Sequence, residues 1–291
     1  MKLRTRYLEK PWGRTQLPRL FAPTLGRRIG EVWFVGDQPL PLLAKYLFTS
    51  DRVSIQVHPG DEEARRCGYT RGKSECWYIL DAEPGATIGL GLSHHVSRDE
   101  LRNSALDGSI ESLVDWRPVK RGDFFYVPPG TIHAIGGGIS LVEFEQNSDV
   151  TYRLFDYGRG RVLHVDAAAA VADREPFPDH LHHHISSDDE RTLVDGPQFT
   201  LVHCNRDRLQ DRRRWILPLD GSVCSGAESA RPGECLLLQA EEELDSIDGR
   251  ILIGAAASAQ SSAVRVGNDI FPAVAHRRAV GTAAIASRGR A

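Results

Sequence analysis

No window of this 291-residue chain approaches the ~20 consecutive apolar residues that a helical membrane span needs. Met1-Lys2-Leu3-Arg4-Thr5-Arg6-Tyr7 carries basic residues with no apolar stretch behind them, so neither a secretory signal nor an anchor is expected there. Cysteine is scarce and unpatterned: Cys67, Cys76, Cys204, Cys224 and Cys235 form no CxxC pair and are odd in number. That scatter fits reduced, mostly buried thiols in a cytoplasmic protein better than a disulfide framework. Neither sign of charge dominates: 36 Lys+Arg stand against 39 Asp+Glu, for a net charge of -3. The balance leaves no electrostatic footprint for nucleic acid or an anionic membrane surface. What is present is a 41% hydrophobic content, enough for the core of one large or two small domains.

The apolar residues come in short runs. Glu31 to Val35, Leu42 to Phe48, Val53 to Val57, Glu75 to Leu80 and Thr87 to Leu92 are rich in β-branched and aromatic residues and bounded by Gly, Pro, Asp and Ser. They predict strands. Residues 97–116 differ: Ser97-Arg98-Asp99-Glu100 is a capping box, and Leu101, Ala105, Ile110, Leu113 and Val114 follow at helical spacing around a break at Gly108. Strand texture returns at Asp123–Val127, 139–145 and 151–155, and a short helix is expected within 164–174. Many short strands with Gly/Pro turns in a mostly all-β chain predict a sandwich or closed barrel, most specifically a jelly roll.

Beyond 174, Pro176, Pro178 and the histidines His180, His182, His183 and His184 mark 175–191 as an expected linker with exposed side chains. Strands resume at 192, and Arg231-Pro232-Gly233-Glu234-Cys235 echoes the step into Asp123–Val127. The pattern predicts a second, smaller barrel-like domain over 192–257 without a metal site, then a frayed or partly helical tail over 258–291.

Four polar residues stand out against this background. Gln56 and His58 alternate in Ser-Ile-Gln-Val-His-Pro, so their side chains leave one face of a strand. Glu75 opens the run Glu-Cys-Trp-Tyr-Ile-Leu, and His133 ends Val-Pro-Pro-Gly-Thr-Ile-His. Imidazole, carboxylate and amide donors without a thiolate suit Zn²⁺, Mn²⁺, Fe²⁺ or Co²⁺ with a coordination position open to water or substrate. Cys76 is adjacent to Glu75 and therefore points to the opposite face, which removes it from the ligand set.

Ser54 to Pro59, Lys73 to Leu80, Asp123 to Ile135 and Thr151 to Gly158 resemble the sequence blocks of type I phosphomannose isomerases, zinc-dependent cupin enzymes, in their short bacterial form. Lys10-Pro11-Trp12-Gly13 and Ile29-Gly30-Glu31 fit the same family, and the likeness runs from about residue 7 to 172. The resemblance implies an all-β fold of cupin jelly-roll barrels: a catalytic unit over 1–174 with a helical insertion at 97–116, and the degenerate smaller unit beyond the linker. It implies one Zn²⁺ on His58, Glu75, His133 and Gln56. It assigns Arg153 as the active-site arginine, with Lys73 and Glu143 contacting substrate and Lys45 and Glu31 as weaker candidates. Arg14 and Val32 depart from the usual residues of the opening segment, and Ile135 replaces a tyrosine of longer relatives.

The implied reaction is interconversion of mannose 6-phosphate and fructose 6-phosphate through a cis-enediol, with a small sugar phosphate as the expected partner. Such chemistry needs a fixed cation for the developing negative charge and a base within reach of a carbon-bound proton. His58, Glu143, Lys73 and a water on the metal are all open as the base. Phosphate is expected to meet Lys73, Arg153 and Arg159.

Overall fold

The computed structural model describes residues 1–257, 263–266 and 269–272. The first strands in chain order are β1 (Arg4–Arg14), β2 (Ile29–Val35), β3 (Leu42–Phe48), β4 (Ile55–Val57), β5 (Glu75–Ala82) and β6 (Thr87–Leu92). They are followed by β7 (Val114–Pro118), β8 (Asp123–Val127), β9 (His133–Ile135), β10 (Ile139–Gln146), β11 (Tyr152–Phe155) and β12 (His182–His184). A seven-stranded sheet runs β1-β2-β3-β10-β5-β8-β12, and a five-stranded one runs β11-β4-β9-β6-β7. Residues of both sheets line one cavity. This is the expected all-β barrel.

The helices lie as the capping pattern predicts, with one difference in extent. After the short α1 (Asp61–Arg66), α2 (Arg98–Asp107) begins at Ser97, whose Oγ accepts the Glu100 amide at 3.1 Å, and ends at Gly108 in the left-handed region, φ 85°. α3 (Ile110–Leu113) is a single turn, because Val114 already pairs with Leu92 as the first residue of β7. Leu101, Ala105 and Ile110 pack with Ala168 and Ala169 of α4 (Val165–Val171) against the outer face of the five-stranded sheet.

The seven-stranded sheet uses its alternation in an unusual sense. One face carries Phe34, Tyr46, Phe48, Tyr78, Phe124, Tyr126 and Phe144, all in the main core. The other carries Glu31, Lys45, Glu75, Glu143 and Glu145, which are also buried but face the cavity. Two-residue periodicity therefore separates a packing face from a chemical face, and both lie inside the protein.

The apolar face is covered by the second unit. Its strands are β13 (Arg191–Asp195), β14 (Phe199–Cys204), β15 (Arg214–Pro218), β16 (Ser222–Ser225), β17 (Glu228–Ala230), β18 (Leu236–Leu238), β19 (Ser246–Asp248), β20 (Ile251–Ala256), β21 (Ala263–Val266) and β22 (Asp269–Pro272). They form sheets ordered β18-β15-β20-β14-β13-β21-β22 and β17-β16-β19. Phe199, Trp215 and Leu252 share one core cluster with Tyr78 and Phe144 of the first unit. Gly254 makes the approach feasible: a Cβ there would lie 2.3 Å from the Phe144 ring.

Two expectations are corrected here. The segment 175–191 is not a free linker: β12 pairs with β8, His182 stacks on Phe125 at 4.3 Å, and His184 Nδ1 meets Asp123 Oδ1 at 2.8 Å. Of the expected tail, 263–266 and 269–272 form a hairpin on the edge of the third sheet; the remainder of 258–291 lies outside the described residues.

Arg214 pins the second unit. It is fully buried, donates from Nε to Asp207 Oδ2 at 2.8 Å, and donates from its terminal nitrogens to the carbonyls of Gln239 at 2.8 Å and Glu242 at 2.7 Å. Arg214→Met leaves these acceptors unpaired and is expected to destabilise the fold by roughly 3–5 kcal/mol. Denaturant unfolding monitored by Trp fluorescence reads the shift; a change under about 1 kcal/mol would show that water replaces the guanidinium without penalty.

Candidate metal centre and active site

β4, β5 and β9 bring three donors to one point. Gln56 of β4 pairs with His133 of β9 across the small sheet, His58 lies just past the end of β4, and Glu75 opens β5 on the facing sheet. Ligand atoms of His58, Glu75 and His133 lie within 4.8 Å of one another, and the three residues are 2%, 1% and 1% exposed. His58 Nε2 is 3.3 Å from Glu75 Oε2, and His133 Nε2 is 3.3 Å from Glu75 Oε1.

The tautomers follow from the outer contacts. His58 Nδ1 faces the Val150 carbonyl at 2.8 Å, and His133 Nδ1 faces the Thr131 carbonyl at 2.9 Å. A carbonyl only accepts, so each Nδ1 carries a proton and each Nε2 presents a lone pair. Burial drives both imidazoles toward the neutral form: His58 is pushed down to about 3, with Lys73 adding to the effect, and His133 is also lowered. For Glu75, burial works to raise the pKa, but Lys73, His58 and His133 together hold it well below the usual carboxylate range. Its Oε1 is buried without a hydrogen-bond donor. Two imidazole lone pairs and an orphaned carboxylate oxygen fit a divalent cation. Gln56 stands beside them with its amide nitrogen 3.2 Å from His133 Nε2 and Oε1 accepting from Ser54 Oγ at 3.0 Å. A half-turn of the amide would offer the oxygen instead.

Next to these donors lies a chain of buried charges. Lys73 Nζ is 2.6 Å from Glu75 Oε2, 2.8 Å from Glu145 Oε2 and 3.2 Å from His58 Nε2. Lys45 Nζ is 2.6 Å from Glu143 Oε2 and 3.0 Å from Glu145 Oε2. Burial opposes the charge on both lysines, yet the glutamates outweigh it and raise both. Glu143 also accepts from Trp77 Nε1 at 2.9 Å, and burial outweighs the pull of Lys45 to hold its carboxyl up at about 8. Lys10 pairs with Glu31 at 2.9 Å further along the wall. The cavity above has a volume of about 560 Å³, within the range of small-molecule sites.

No protein-family model matches the chain. It is 45% identical over 137 residues to the mannose-6-phosphate isomerase of Streptococcus mutans, covering 45% of this chain and 43% of that protein. It is 41% identical over 177 residues to a mannose-6-phosphate isomerase of Bacillus subtilis, covering 58% of this chain and 54% of that protein. The chain resembles the mannose-6-phosphate isomerases. The matched stretch spans about half the length of these curated relatives. Among solved structures, the Bacillus subtilis mannose 6-phosphate isomerase superposes with a TM-score of 0.72 at 26% identity, over 87% of this chain and 98% of that one. The apo enzyme of Salmonella typhimurium gives a TM-score of 0.68 at 15% identity, over 88% and 99%, a likeness of fold. The fold is that of these cupin isomerases.

The cavity wall beside Gln56 is cationic, since Arg153 is the cross-strand partner of Gln56. Arg153 of β11 and Thr151, just before that strand, both line it, and the Arg153 Nε is buried without a hydrogen-bond partner. Burial, then the neighbouring Arg161, lower the Arg153 pKa. Arg159, expected at phosphate, is turned away over the Tyr157 ring at 5.1 Å and toward Asp156 at 3.3 Å. Arg161 lines the cavity instead, with Nε held by Asp156 Oδ2 at 2.8 Å. Sequence reasoning missed Arg161 because its orientation depends on a loop, and missed Glu145 although it lies two residues from Glu143 on the same face.

Proposed function

We propose that this chain interconverts mannose 6-phosphate and fructose 6-phosphate, using a divalent metal, Zn²⁺, held by His58, Glu75 and His133 with Gln56 beside them. The observation that carries the proposal is the convergence of two proton-free imidazole nitrogens and an orphaned carboxylate oxygen on a cavity that Arg153 and Arg161 also line. Within it, 1–174 is the catalytic unit and 192–257 a smaller supporting cupin-like unit. A cytoplasmic setting is part of the same reading, and it rests on Cys76, Cys204 and Cys235, thiols buried in the core with raised pKa values. No helix among the described residues is long and apolar enough to cross a membrane.

The bound ion would supply a Lewis acid for the negative charge that develops on the sugar oxygens. Arg153 and Arg161 offer positive charge to phosphate or to that oxyanion. The contacts of each candidate bear on the choice of base. His58 and His133 have both ring nitrogens engaged, and Lys73 is held as a cation by Glu75 and Glu145. Glu143 lines the cavity and changes protonation near neutrality, so we assign it the proton transfer between C2 and C1.

The primary test is turnover of mannose 6-phosphate by purified protein before chelation, after it, and after Zn²⁺ is restored, with glucose 6-phosphate run alongside. Metal-dependent turnover of the mannose compound supports the proposal; bound metal without turnover of either sugar leaves a binding protein. A second test concerns the base. Activity is expected to rise with pH as Glu143 loses its proton, with an apparent pKa no higher than about 8, since a cation beside Glu75 can only lower it. Glu143→Gln is expected to lower kcat by roughly 10²–10⁴ and to abolish that rising limb. An unchanged limb in this variant would assign the base elsewhere.

A further inference from the structure

A second cleft, of about 270 Å³, opens behind β5, on the side of the catalytic wall away from the metal ligands. It lies where the two units meet. The first unit contributes Tyr78 of β5 and Arg121 from the turn before β8; the second contributes His203 of β14, Asp220 after β15 and Arg250 before β20; Ser187 comes from the connection between units. Its size lies just under the ~300–1,000 Å³ of drug-sized sites, so it suits a small ligand.

The charges favour an anion. Arg121 is exposed and pairs with no carboxylate among the described residues. Arg250, half-buried, reaches Glu190 at 3.5 Å and Asp188 at 3.8 Å, the latter 95% exposed; both pairings are long, and Glu190 keeps Arg206 at 3.5 Å if a ligand draws Arg250 away. Asp220, a lining carboxylate, has Oδ1 occupied by the Arg250 backbone N–H at 2.6 Å.

His203 adds a more specific demand. The residue is 1% exposed, its ring stacks on Tyr78 at 5.8 Å, and Nδ1 faces the Asp189 carbonyl at 2.6 Å. That carbonyl fixes the proton on Nδ1, leaving Nε2 as an acceptor, and burial lowers the pKa so that the ring stays neutral. A ligand here would meet guanidinium donors and one imidazole acceptor together. We propose that this cleft binds a small oxyanion that retains a proton at neutral pH, the chemistry of hydrogen phosphate, with its charged oxygens on Arg121 and Arg250 and its hydroxyl donating to His203. Sulfate, which carries no proton at that pH, cannot make the last contact.

Calorimetric titration of the metal-loaded full chain with inorganic phosphate, and separately with sulfate, tests this. Arg121→Glu reverses an exposed charge with no ion pair to lose, and Ser187→Glu adds a negative charge in the same cleft. Each variant is expected to weaken phosphate binding by at least about tenfold, and wild-type protein is expected to bind sulfate at least about tenfold more weakly than phosphate. Arg153→Ala reports any uptake in the main cavity. Phosphate binding that survives both cleft variants and disappears in Arg153→Ala would overturn the proposal, as would equal affinity for sulfate.

Discussion

Glu75→Gln is expected to empty the metal centre and abolish turnover. The substitution keeps the shape of the side chain but removes the negative charge that would face a cation between the two Nε2 lone pairs. An amide oxygen is a weaker ligand for a divalent ion, and its NH₂ group can donate to His58 or His133, occupying the lone pairs that should hold metal. Loss of a Lewis acid worth several kcal/mol corresponds to a fall in kcat/KM of roughly 10³ or more. Metal content after dialysis, measured by elemental analysis, should fall from about one ion per chain to background. Folding is expected to persist, because Lys73 retains Glu145 at 2.8 Å as its counter-charge. Retained metal with lost activity would show that Glu75 acts on substrate and that the ion sits elsewhere.

The centre was legible in sequence to an unequal degree. His58 and Gln56 share a strand face by simple alternation, and Pro128-Pro129-Gly130 before His133 announces a return of the chain, with Gly130 at φ 89°. The barrel followed from short β-branched runs. What the sequence concealed was the sense of the alternation in β3, β5 and β10. A strand such as Ile-Ser-Leu-Val-Glu-Phe-Glu-Gln reads as half exposed, yet all eight residues of β10 are buried, since its polar face lines the cavity and its apolar face meets the second unit. The Lys45–Glu143 contact depends on the register of β3 against β10, where the two residues are direct partners. Long-range register is set by tertiary packing and leaves no local mark. β12 was concealed for a related reason: three consecutive histidines have no strand signature until Phe125 supplies a stacking surface and Asp123 an acceptor. The role of β1 was likewise hidden, because Arg6, Lys10 and Trp12 line the cavity from a segment that reads as a charged terminus.

Lys73 gives the sharpest test of how the centre is balanced. Its ammonium is bonded to two of the groups that would hold the metal, Glu75 and His58, so lysine and metal draw on the same lone pairs. Two unit charges about 4 Å apart interact by roughly 4 kcal/mol at an effective dielectric of 20, and a divalent ion doubles the repulsion. Lys73→Met should therefore tighten metal binding, by about tenfold or more in a chelator-competition titration. The metal-free variant should be less stable by roughly 3–5 kcal/mol, because Glu75 and Glu145 lose their shared cation, and added Zn²⁺ should restore much of that loss by binding only the folded state. Turnover should nevertheless fall, since a cation beside the cavity is lost to the sugar phosphate. Tighter metal with weaker catalysis assigns Lys73 to substrate and to the tuning of metal affinity. Metal affinity falling together with activity would make it a prop for the ligands, holding Glu75 in place and contributing nothing directly to the sugar phosphate.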